Sequence, residues 1–277
     1  MFFGREMYRF PQALSRMADI TKVRSQANWI RWQFFIKTYI YLFGFPDVGL
    51  QLRALYFQNF LKRFNFNKVL DAGCGVGLFS FYMAKKNPSA RIEACDYNSD
   101  YIKIGKAILN QLNLSNVTIF HQDLCCLSKS NEYDLIVCMD VIEHIKDDEL
   151  VIANFQKALK EGGYLFLTTP HLDAQRRYFH KYFASLGSHV RLGYSEEGLT
   201  MLLQRYGFRV EKIKRVAGPI GSLMIDLYSL AVLHLPLPFV ALLFPLLSSI
   251  SLLDMAIRKR KGYSLVVIAQ KMATKNV

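Results

Sequence analysis

The sequence is poor in several features that mark common protein classes. Its 277 residues include five cysteines, an odd number without a Cys-x-x-Cys pair, so neither a disulfide framework nor a zinc knuckle is indicated. It has no internal repeat, no low-complexity tract and no apolar signal-peptide run at its start. A hydrophobic fraction of 52% with 21% charged residues excludes a disordered chain. We therefore expect a globular protein facing the cytoplasm, with its cysteines as buried thiols.

The formal net charge of +13 is unevenly distributed along the chain. Residues 1–67 carry a net charge of +7, residues 68–170 carry −3, and residues 171–277 carry +9. Basic flanks suit phosphate-rich partners, either nucleic acid or an anionic membrane surface, whereas the acidic centre suits a cationic or hydroxyl-rich ligand. Composition by itself does not choose between these partners.

Short apolar runs alternate with helical patterns from residue 68 onward, which is typical of a doubly wound α/β fold. The expected strands are Lys68–Asp71, Arg91–Asp96, Val117–Asp123, Tyr133–Asp140, Gly163–Thr169, Phe208–Val216 and Tyr263–Gln270. Helices are expected from Gly77 to Lys86, after Asn98, from Asp147 to Gly162, and from Ser195 to Gly207.

Four aspartates, Asp71, Asp96, Asp123 and Asp140, each close an apolar run. Ligands of open parallel sheets bind beyond the carboxyl ends of the strands, so these acids are expected to form one wall of a ligand site. The first acid opens a glycine-rich loop, Asp71-Ala72-Gly73-Cys74-Gly75-Val76-Gly77. Its carboxylate would repel a pyrophosphate, and Leu78 stands where a dinucleotide fingerprint has its third glycine. A ligand with positive groups and ribose hydroxyls, such as S-adenosylmethionine, fits better.

The segment from Val69 to Gly77 resembles the first motif of class I S-adenosylmethionine-dependent methyltransferases. The resemblance implies that Asp96 holds the ribose hydroxyls, that Tyr97 neighbours the adenine, and that Asp123-Leu124 contacts the adenine. The segment Asp140-Val141-Ile142-Glu143-His144 resembles a later motif of the same family. The predicted cofactor-binding residues are therefore Asp71, Gly73, Cys74, Gly75, Gly77, Asp96, Tyr97, Asp123, Leu124 and Asp140.

The family implies a Rossmann-like seven-stranded sheet with strand order 3-2-1-4-5-7-6 and an antiparallel last strand. The chain is similar to the branch of ubiquinone-biosynthesis O-methyltransferases, in which a Glu-x-x-Glu-His arrangement is associated with a divalent cation. Here Asp140-x-x-Glu143-His144 departs from that arrangement by one acid, and no metal is expected.

Methyl transfer requires alignment of the acceptor and exclusion of water, and a general base only where the acceptor is a hydroxyl. His189, in a loop between Gly187 and Gly193, is the favoured base candidate, and His144 is a second candidate. His171 also falls near the expected mouth of the site. The alternative is that His189 is a surface or loop-anchoring histidine.

An apolar segment, Gly218–Asp254, separates the sixth and seventh expected strands and has Asp226 and Asp254 as its only charges. Leu227–Leu253 is longer than a bilayer requires, but three prolines interrupt it and both of its ends must return to one sheet. Basic residues flank it on both sides, so we expect helices lying in or just under the membrane interface. The alternative is a lid or a dimer interface.

The expected organisation is an N-terminal helical arm over residues 1–67 and a methyltransferase domain over residues 68–277. The arm mixes basic residues with aromatic ones, which suits a lipid headgroup region: Trp29, Trp32, Phe34, Phe35, Tyr39, Tyr41 and Phe43.

The predicted function is that of a methyltransferase, peripheral or monotopic at the cytoplasmic membrane face, which O-methylates a lipophilic acceptor such as a quinone precursor, a lipid or a lipid-linked sugar. One alternative is a soluble glycan or secondary metabolite as acceptor, with a homodimer formed through the insertion. A non-enzymatic cofactor-binding membrane scaffold is the other alternative. A nucleic-acid substrate is disfavoured because the Asp/Asn-Pro-Pro-aromatic motif is absent after the fourth strand.

Overall fold

The computed structural model describes residues 46–173, 190–255 and 262–273, together with Tyr39, Leu42 and Phe43. Internal contacts divide the described residues into two units, a first that includes Asn67–Asp123 and a second that includes Asp47–Phe66 and the described residues from Leu124 onward. Most of the predicted aromatic and basic arm lies outside the described residues, and so do His189 and the basic residues 258–261.

Seven strands form a sheet in the order β3-β2-β1-β4-β5-β7-β6. The strands are β1 Lys68–Ala72, β2 Arg91–Asp96, β3 Val117–His121, β4 Tyr133–Met139, β5 Leu159–Pro170, β6 Phe208–Val216 and β7 Ser264–Lys271. Strands β1 to β3 pair in parallel, as do β4 and β5, whereas β7 is antiparallel to β5 and β6. The predicted strand order and antiparallel last strand are confirmed.

Seven α-helices of the described residues accompany these strands. They are α1 Val48–Leu61, α2 Leu78–Lys86, α3 Ser99–Leu112, α4 Asp148–Ala158, α5 Glu196–Arg205, α6 Pro219–His234 and α7 Leu237–Ser251. The side chain of Asn98 caps α3 by accepting from the main-chain N–H of Asp100 at 2.9 Å, and Ser195 caps α5 through Gly198 at 2.9 Å. Both helix starts follow from side chains that satisfy free N–H groups of the first turn.

The first unit packs α2 and α3 on the parallel ladder of β1, β2 and β3. Helix α3 buries Ile102, Gly105, Ile108 and Leu112, a three- and four-residue spacing that places them on one helix face. The Nδ2 atom of Asn116 donates to the carbonyl oxygens of Ala84, Asn87 and Ala90 at 3.0–3.4 Å. These bonds tie the turn between α2 and β2 to the residue that precedes β3.

In the second unit, α1 packs on β5 through aromatic rings. The ring of Phe57 lies 4.9 Å from that of Phe166, and the ring of Phe64 lies 4.6 Å from that of Tyr164. Tyr164, Phe166 and Thr168 alternate along β5, so they share the sheet face that α1 covers. Burial of these rings fixes α1 on this face.

The prediction that the helix after Asp147 ends at Gly162 is wrong. Helix α4 ends at Ala158, and β5 begins at Leu159 rather than at Gly163, since Leu159 pairs with Tyr133 in the ladder of β4 and β5. The carbonyl of Ala158 accepts from the main-chain N–H of Glu132 at 2.8 Å. Pairing with a distant strand therefore ends the helix before its local glycine signal is reached.

The apolar segment between β6 and β7 forms the helical pair α6 and α7, which pack on each other and on α1. Gly218 precedes α6 without a capping side chain, and the carboxylate of Asp254 accepts from the main-chain N–H of Gly221 at 2.7 Å instead. Among the described residues, no helix combines the length and hydropathy needed to cross a membrane.

The cysteines differ in burial. All five are free thiols. Cys95 and Cys138 are buried, Cys74 and Cys125 are partly buried, and Cys126 is exposed. The prediction of a buried thiol is wrong for Cys126, because the short 3-10 turn Leu124–Cys126 buries Leu124 and leaves Cys126 facing outward.

Candidate cofactor and acceptor sites

The glycine-rich loop follows β1 and is tied to β2. The main-chain N–H groups of Gly73 and Cys74 both donate to the carbonyl of Cys95, at 2.8 and 2.9 Å. Gly73, Gly75 and Gly77 have φ angles of 77°, 54° and 90°. These left-handed conformations carry little steric cost only for glycine, so the glycine spacing of the motif sets the shape of the loop.

Asp96, at the end of β2, is held by two main-chain donors. Its Oδ2 accepts from the N–H of Gly75 at 2.8 Å, and its Oδ1 accepts from the N–H of Asn98 at 2.8 Å. Each carboxylate oxygen has capacity for a further donor. A fixed, partly exposed carboxylate of this kind can accept bonds from a pair of hydroxyl groups, as ribose presents.

The backbone beside Asp96 is open at Gly75. A Cβ atom added to Gly75 would meet nothing within 4 Å, whereas one added to Gly77 would lie 2.8 Å from the ring of Phe81. The side chain of Tyr97 is 70% exposed, and its ring centroid lies 5.7 Å from that of His121. Open space over Gly75, an accepting carboxylate and an exposed aromatic ring are compatible with the adenosyl part of S-adenosylmethionine.

Asp71 and Cys74 lie closer to the interior of the first unit. Asp71 is 3% exposed, and its Oδ2 accepts from the Oγ of Ser80 at 2.5 Å. Burial raises the pKa of Asp71 to about 6, and the Ser80 bond opposes that rise. Burial also raises the pKa of the Cys74 thiol, so it stays neutral and is no nucleophile. Asp123 follows β3 and is partly exposed.

Asp140, the corresponding acid after β4, has its own contacts in the second unit. Its Oδ2 lies 2.8 Å from the Nε of Arg53, and its Oδ1 accepts from the Oγ1 of Thr168 at 2.9 Å. Its φ of 53° is left-handed, which aspartate tolerates better than most residues. Sequence reasoning missed Arg53 and Thr168, because neither lies in a motif and the contact depends on how α1 packs.

Glu143 and His144 lie in the short 3-10 helix Ile142–His144. Glu143 is buried, and its Oε2 accepts from the Oγ1 of Thr169 at 3.1 Å. Burial, followed by the charge of Asp140, raises the pKa of Glu143 to about 8, so it carries a proton at neutral pH. His144 is exposed, and Leu124 is buried with its carbonyl bound by the Nδ2 of Asn154 at 2.9 Å.

Residues 190–194 are anchored to the turn after β4. The N–H of Val190 donates to the carbonyl of Glu143 at 3.0 Å, and the Nη2 of Arg191 donates to the carbonyls of Ile145 and Lys146 at 2.8 Å. The guanidinium of Arg191 pairs with Asp148. Tyr194 completes this cluster, because its hydroxyl donates to Asp148 at 2.5 Å.

His171 is only 3% exposed, so it differs from the expected histidine at the mouth of a site. Its Nδ1 accepts from the N–H of Asp173 at 2.9 Å, and its Nε2 is buried without a hydrogen-bond partner among the described residues. Burial, and then the charge of Arg215, lowers the pKa of His171. The imidazole is therefore neutral at physiological pH.

A groove of about 430 Å³ lies between α1 and α6. It combines the polar side chains of Asp47 and Arg53 with an apolar wall, and its lining comprises Asp47, Gly49, Arg53, Ile225, Tyr228, Ser229, Val232 and Leu233. Arg53 both lines this groove and pairs with Asp140, so the α1 side of the groove is charged. Ile225, Val232 and Leu233 make the α6 side mainly apolar.

The strand order and the glycine loop beside Asp96 define the class I, S-adenosylmethionine-dependent methyltransferase fold. The model of the family described as Methyltransferase domain matches residues 47–213, and the chain belongs to that family. No group of three or more potential metal ligands occurs among the residues that the structure describes.

Two relatives show the branch to which the chain is similar. A ubiquinone biosynthesis O-methyltransferase of Glaesserella parasuis is 32% identical over 129 residues, which is 45% of this chain and 54% of that protein. One from Coxiella burnetii is 36% identical over 102 residues, or 36% and 42% of the two chains. The chain thus spans about half the length of the curated relatives it matches.

A solved structure shows the same fold. The phosphoethanolamine N-methyltransferase 2 of Haemonchus contortus, in complex with S-adenosyl-L-methionine, aligns with a TM-score of 0.59 at 16% identity. The alignment covers 80% of this chain and 52% of that one. The likeness concerns the fold alone.

Proposed function

We propose that this protein transfers the methyl group of S-adenosylmethionine to a lipophilic acceptor. The observation that carries methyl transfer is the carboxylate of Asp96, anchored by the N–H groups of Gly75 and Asn98. When bound, S-adenosylmethionine supplies a methyl group activated by its sulfonium. Asp96 would hold the ribose hydroxyls, Tyr97 would lie against the adenine, and the bare backbone of Gly75 would admit the ligand.

The other predicted cofactor-binding residues have different roles in this proposal. Gly73 and Gly77 shape the loop, while Asp71 places a buried charge in the adjoining strand β1. Asp123, Leu124 and Asp140 are proposed as cofactor contacts on the resemblance.

The groove between α1 and α6 supports a lipophilic acceptor. Its volume of about 430 Å³ lies in the range of small-ligand pockets. Ile225, Val232 and Leu233 of α6 line it opposite Arg53, so an acceptor with a polar head and an apolar tail fits both ends. A quinone precursor, a lipid or a lipid-linked sugar has that character. In this proposal the apolar segment 218–254 binds acceptor as well as membrane.

The exposed side chains of α6 and α7 support attachment to a membrane surface at its cytoplasmic face. Phe239 is 59% exposed, Leu242 76% and Leu246 56%, and they lie on one helix at three- and four-residue spacing. A soluble surface rarely exposes such a group of large apolar side chains without a partner. The interface of a membrane is favoured over a second subunit because basic residues flank the segment on both sides.

O-methylation would require a base for the acceptor hydroxyl. His144 is exposed in the turn after β4, and His189 remains the other candidate. Glu143 is mostly protonated at neutral pH, because burial and the charge of Asp140 raise its pKa to about 8, so the two histidines are preferred. Separate His144→Ala and His189→Ala variants, assayed across pH, would identify a base by loss of the acidic limb of the rate profile.

Transfer of a radiolabelled methyl group into a cell extract tests the whole proposal, with organic and aqueous phases counted separately. Label in the organic phase, lost in Asp96→Asn and retained in Asp100→Asn, is the expected result. Label only in the aqueous phase would replace the lipophilic acceptor with a glycan or small metabolite and make α6 and α7 a lid or dimer surface. Binding of S-adenosylmethionine with no label in either phase would favour the non-enzymatic, cofactor-binding scaffold.

A further inference from the structure

A second cavity, of about 600 Å³, lies in the second unit and shares no lining residue with the groove at Arg53. Four of the side chains that line it are cationic, and the others are mostly aromatic or aliphatic. The lining comprises Tyr56, Asn59, Phe60, Lys62, Arg63, Phe64, Glu211, Lys212, Lys214, Val266 and Ile268. We call it the basic cavity.

The secondary structure brings these residues together. Lys212 and Lys214 alternate on β6, so they face the same side of the sheet, opposite Ile268 and Val266 of β7 in the ladder. On the other wall, Tyr56, Asn59 and Phe60 share one face of α1, and Lys62 and Arg63 follow as it ends. The floor is thus apolar and the rim cationic.

The cations of the basic cavity have no counter-ion in the described part of the chain. Lys62, Arg63, Lys212 and Lys214 form no ion pair there, and Glu211 is already paired with Arg209 at 2.5 Å. Burial, followed by the charges of Lys214 and Arg63, lowers the pKa of Lys212. The positive charges therefore repel one another, and a bound anion would relieve that repulsion.

The alternative is that these four cations are simply solvated at the protein surface, which accounts for only two of them. The negative end of the α1 dipole stabilises Lys62 and Arg63, which lie at its C-terminus. No helix end accounts for Lys212 and Lys214, which lie in the middle of β6 and point the same way over an apolar floor.

We propose that the basic cavity binds a phosphate group carried on an apolar or aromatic body. Lys212, Lys214 and Arg63 would hold the phosphate oxygens, since phosphate carries multiple charge and accepts several strong bonds. Tyr56, Phe60 and Val266 would contact the body of the ligand. The phosphate belongs either to the headgroup of an anionic lipid or to a soluble phosphorylated compound. This site is separate from the methyl-transfer proposal.

Calorimetric titration of the full-length protein with inorganic diphosphate tests the phosphate site. Lys212→Gln/Lys214→Gln is expected to weaken binding at least tenfold. The matched double variant Lys106→Gln/Lys157→Gln removes the same charge at exposed positions outside the cavity and should bind like the wild type. Arg63→Gln should also weaken diphosphate binding, and it carries little risk to folding because Arg63 is exposed at the end of α1. Equal affinity in all four proteins would overturn the proposal.

Sedimentation with phosphatidylcholine vesicles, with and without phosphatidylglycerol, separates the two sources. A lipid headgroup predicts that Lys212→Gln/Lys214→Gln loses both diphosphate and phosphatidylglycerol binding. A soluble compound predicts loss of diphosphate binding with vesicle binding unchanged. If the double variant alters neither measurement, the cavity holds no phosphate. Titration with S-adenosylmethionine in the same variants should be unchanged, which keeps this result distinct from failure of the methyl-transfer proposal.

Discussion

The Nε atom of Arg53 in α1 lies 2.8 Å from Oδ2 of Asp140 at the end of β4. Their side chains are 21% and 29% exposed, so water screens the pair and its contribution to stability is about 1 kcal/mol or less. Its consequence is geometric, because Arg53 also lines the groove between α1 and α6. The ion pair therefore fixes the polar end of the proposed acceptor site.

Substitution of Arg53 should affect the acceptor more than the fold. In Arg53→Gln we expect a loss of about 1 kcal/mol of stability or less, a rise of about tenfold in acceptor KM, and unchanged affinity for S-adenosylmethionine. Steady-state kinetics and calorimetry measure these quantities. Arg205→Gln, which breaks an exposed pair with Glu149, is the control. Weaker cofactor binding with unchanged KM would place Arg53 at the cofactor instead.

Removing the charge of Asp96 should weaken binding of S-adenosylmethionine by about tenfold to a hundredfold. Both oxygens of the carboxylate accept main-chain bonds, so the NH2 group of Asp96→Asn would face a donor and displace the loop. Asp100→Asn is the matched control, since Asp100 is exposed and paired with Lys103. Equal losses in both variants, measured by calorimetry, would show a general electrostatic effect rather than a ribose contact.

Asp71 makes stability depend on pH. Its folded-state pKa of about 6 exceeds its ordinary value of 3.8, so the folded protein binds this proton more tightly than the unfolded chain. The stabilisation is present below the ordinary pKa and is lost as pH rises through about 6. At pH 7.5 the ionised group costs about 3 kcal/mol, which Asp71→Asn should recover.

Denaturant unfolding of the wild type and Asp71→Asn between pH 4 and pH 7.5 measures this difference. The advantage of the variant should grow with pH, whereas its affinity for S-adenosylmethionine should fall if the charge serves the cofactor. A constant difference in unfolding free energy across this range would contradict the raised pKa.

Gly193 should tolerate no side chain. Its φ is 126°, and an added Cβ would lie 2.3 Å from the carbonyl oxygen of Pro170. This oxygen belongs to the backbone of β5 and cannot move aside as a flexible side chain can. We expect Gly193→Ala to lose about 3 kcal/mol or more of stability. Gly207→Ala is the control, because that glycine also has a positive φ but its nearest contact is the flexible side chain of Gln156 at 3.5 Å. It should lose about 1 kcal/mol. Thermal unfolding that ranks the two variants equally would refute the steric account.

The exposed apolar side chains of α7 should bind membranes without supporting the fold. Leu242→Gln/Leu246→Gln is expected to reduce sedimentation with anionic vesicles severalfold while leaving the melting temperature unchanged. Met201→Gln, an exposed apolar position on α5, should leave sedimentation unchanged. If the double variant sediments like the wild type but changes from dimer to monomer in solution, the surface is a subunit interface.

Local signals predicted much of the fold. Strands β2 and β6 have the predicted bounds, and Asn98 and Ser195 cap the helices whose starts they predicted. These features depend on alternation of side chains and on capping of neighbouring N–H groups, which involve residues close in sequence. The tight turn of the glycine loop was predicted for a related reason, because Gly73, Gly75 and Gly77 all take positive φ angles that glycine adopts at little steric cost.

Features that depend on distant partners were not predictable. The predicted end of α4 was wrong because Leu159 pairs with Tyr133 of β4. The exposure of Cys126 depends on how Leu124 packs in the same 3-10 turn. Neither Arg53 beside Asp140 nor Asp254 at the start of α6 has a sequence signal, since each contact joins residues far apart in the chain.

The sequence by itself determined the class of fold and the residues of the glycine loop, because their conformations are set by spacing and by the steric freedom of glycine. Tertiary structure alone decided the groove between α1 and α6, the raised pKa of Glu143 and the clustering of Lys212 and Lys214 with Arg63. Burial and charge proximity depend on which distant surfaces meet, and no local pattern in the chain records that.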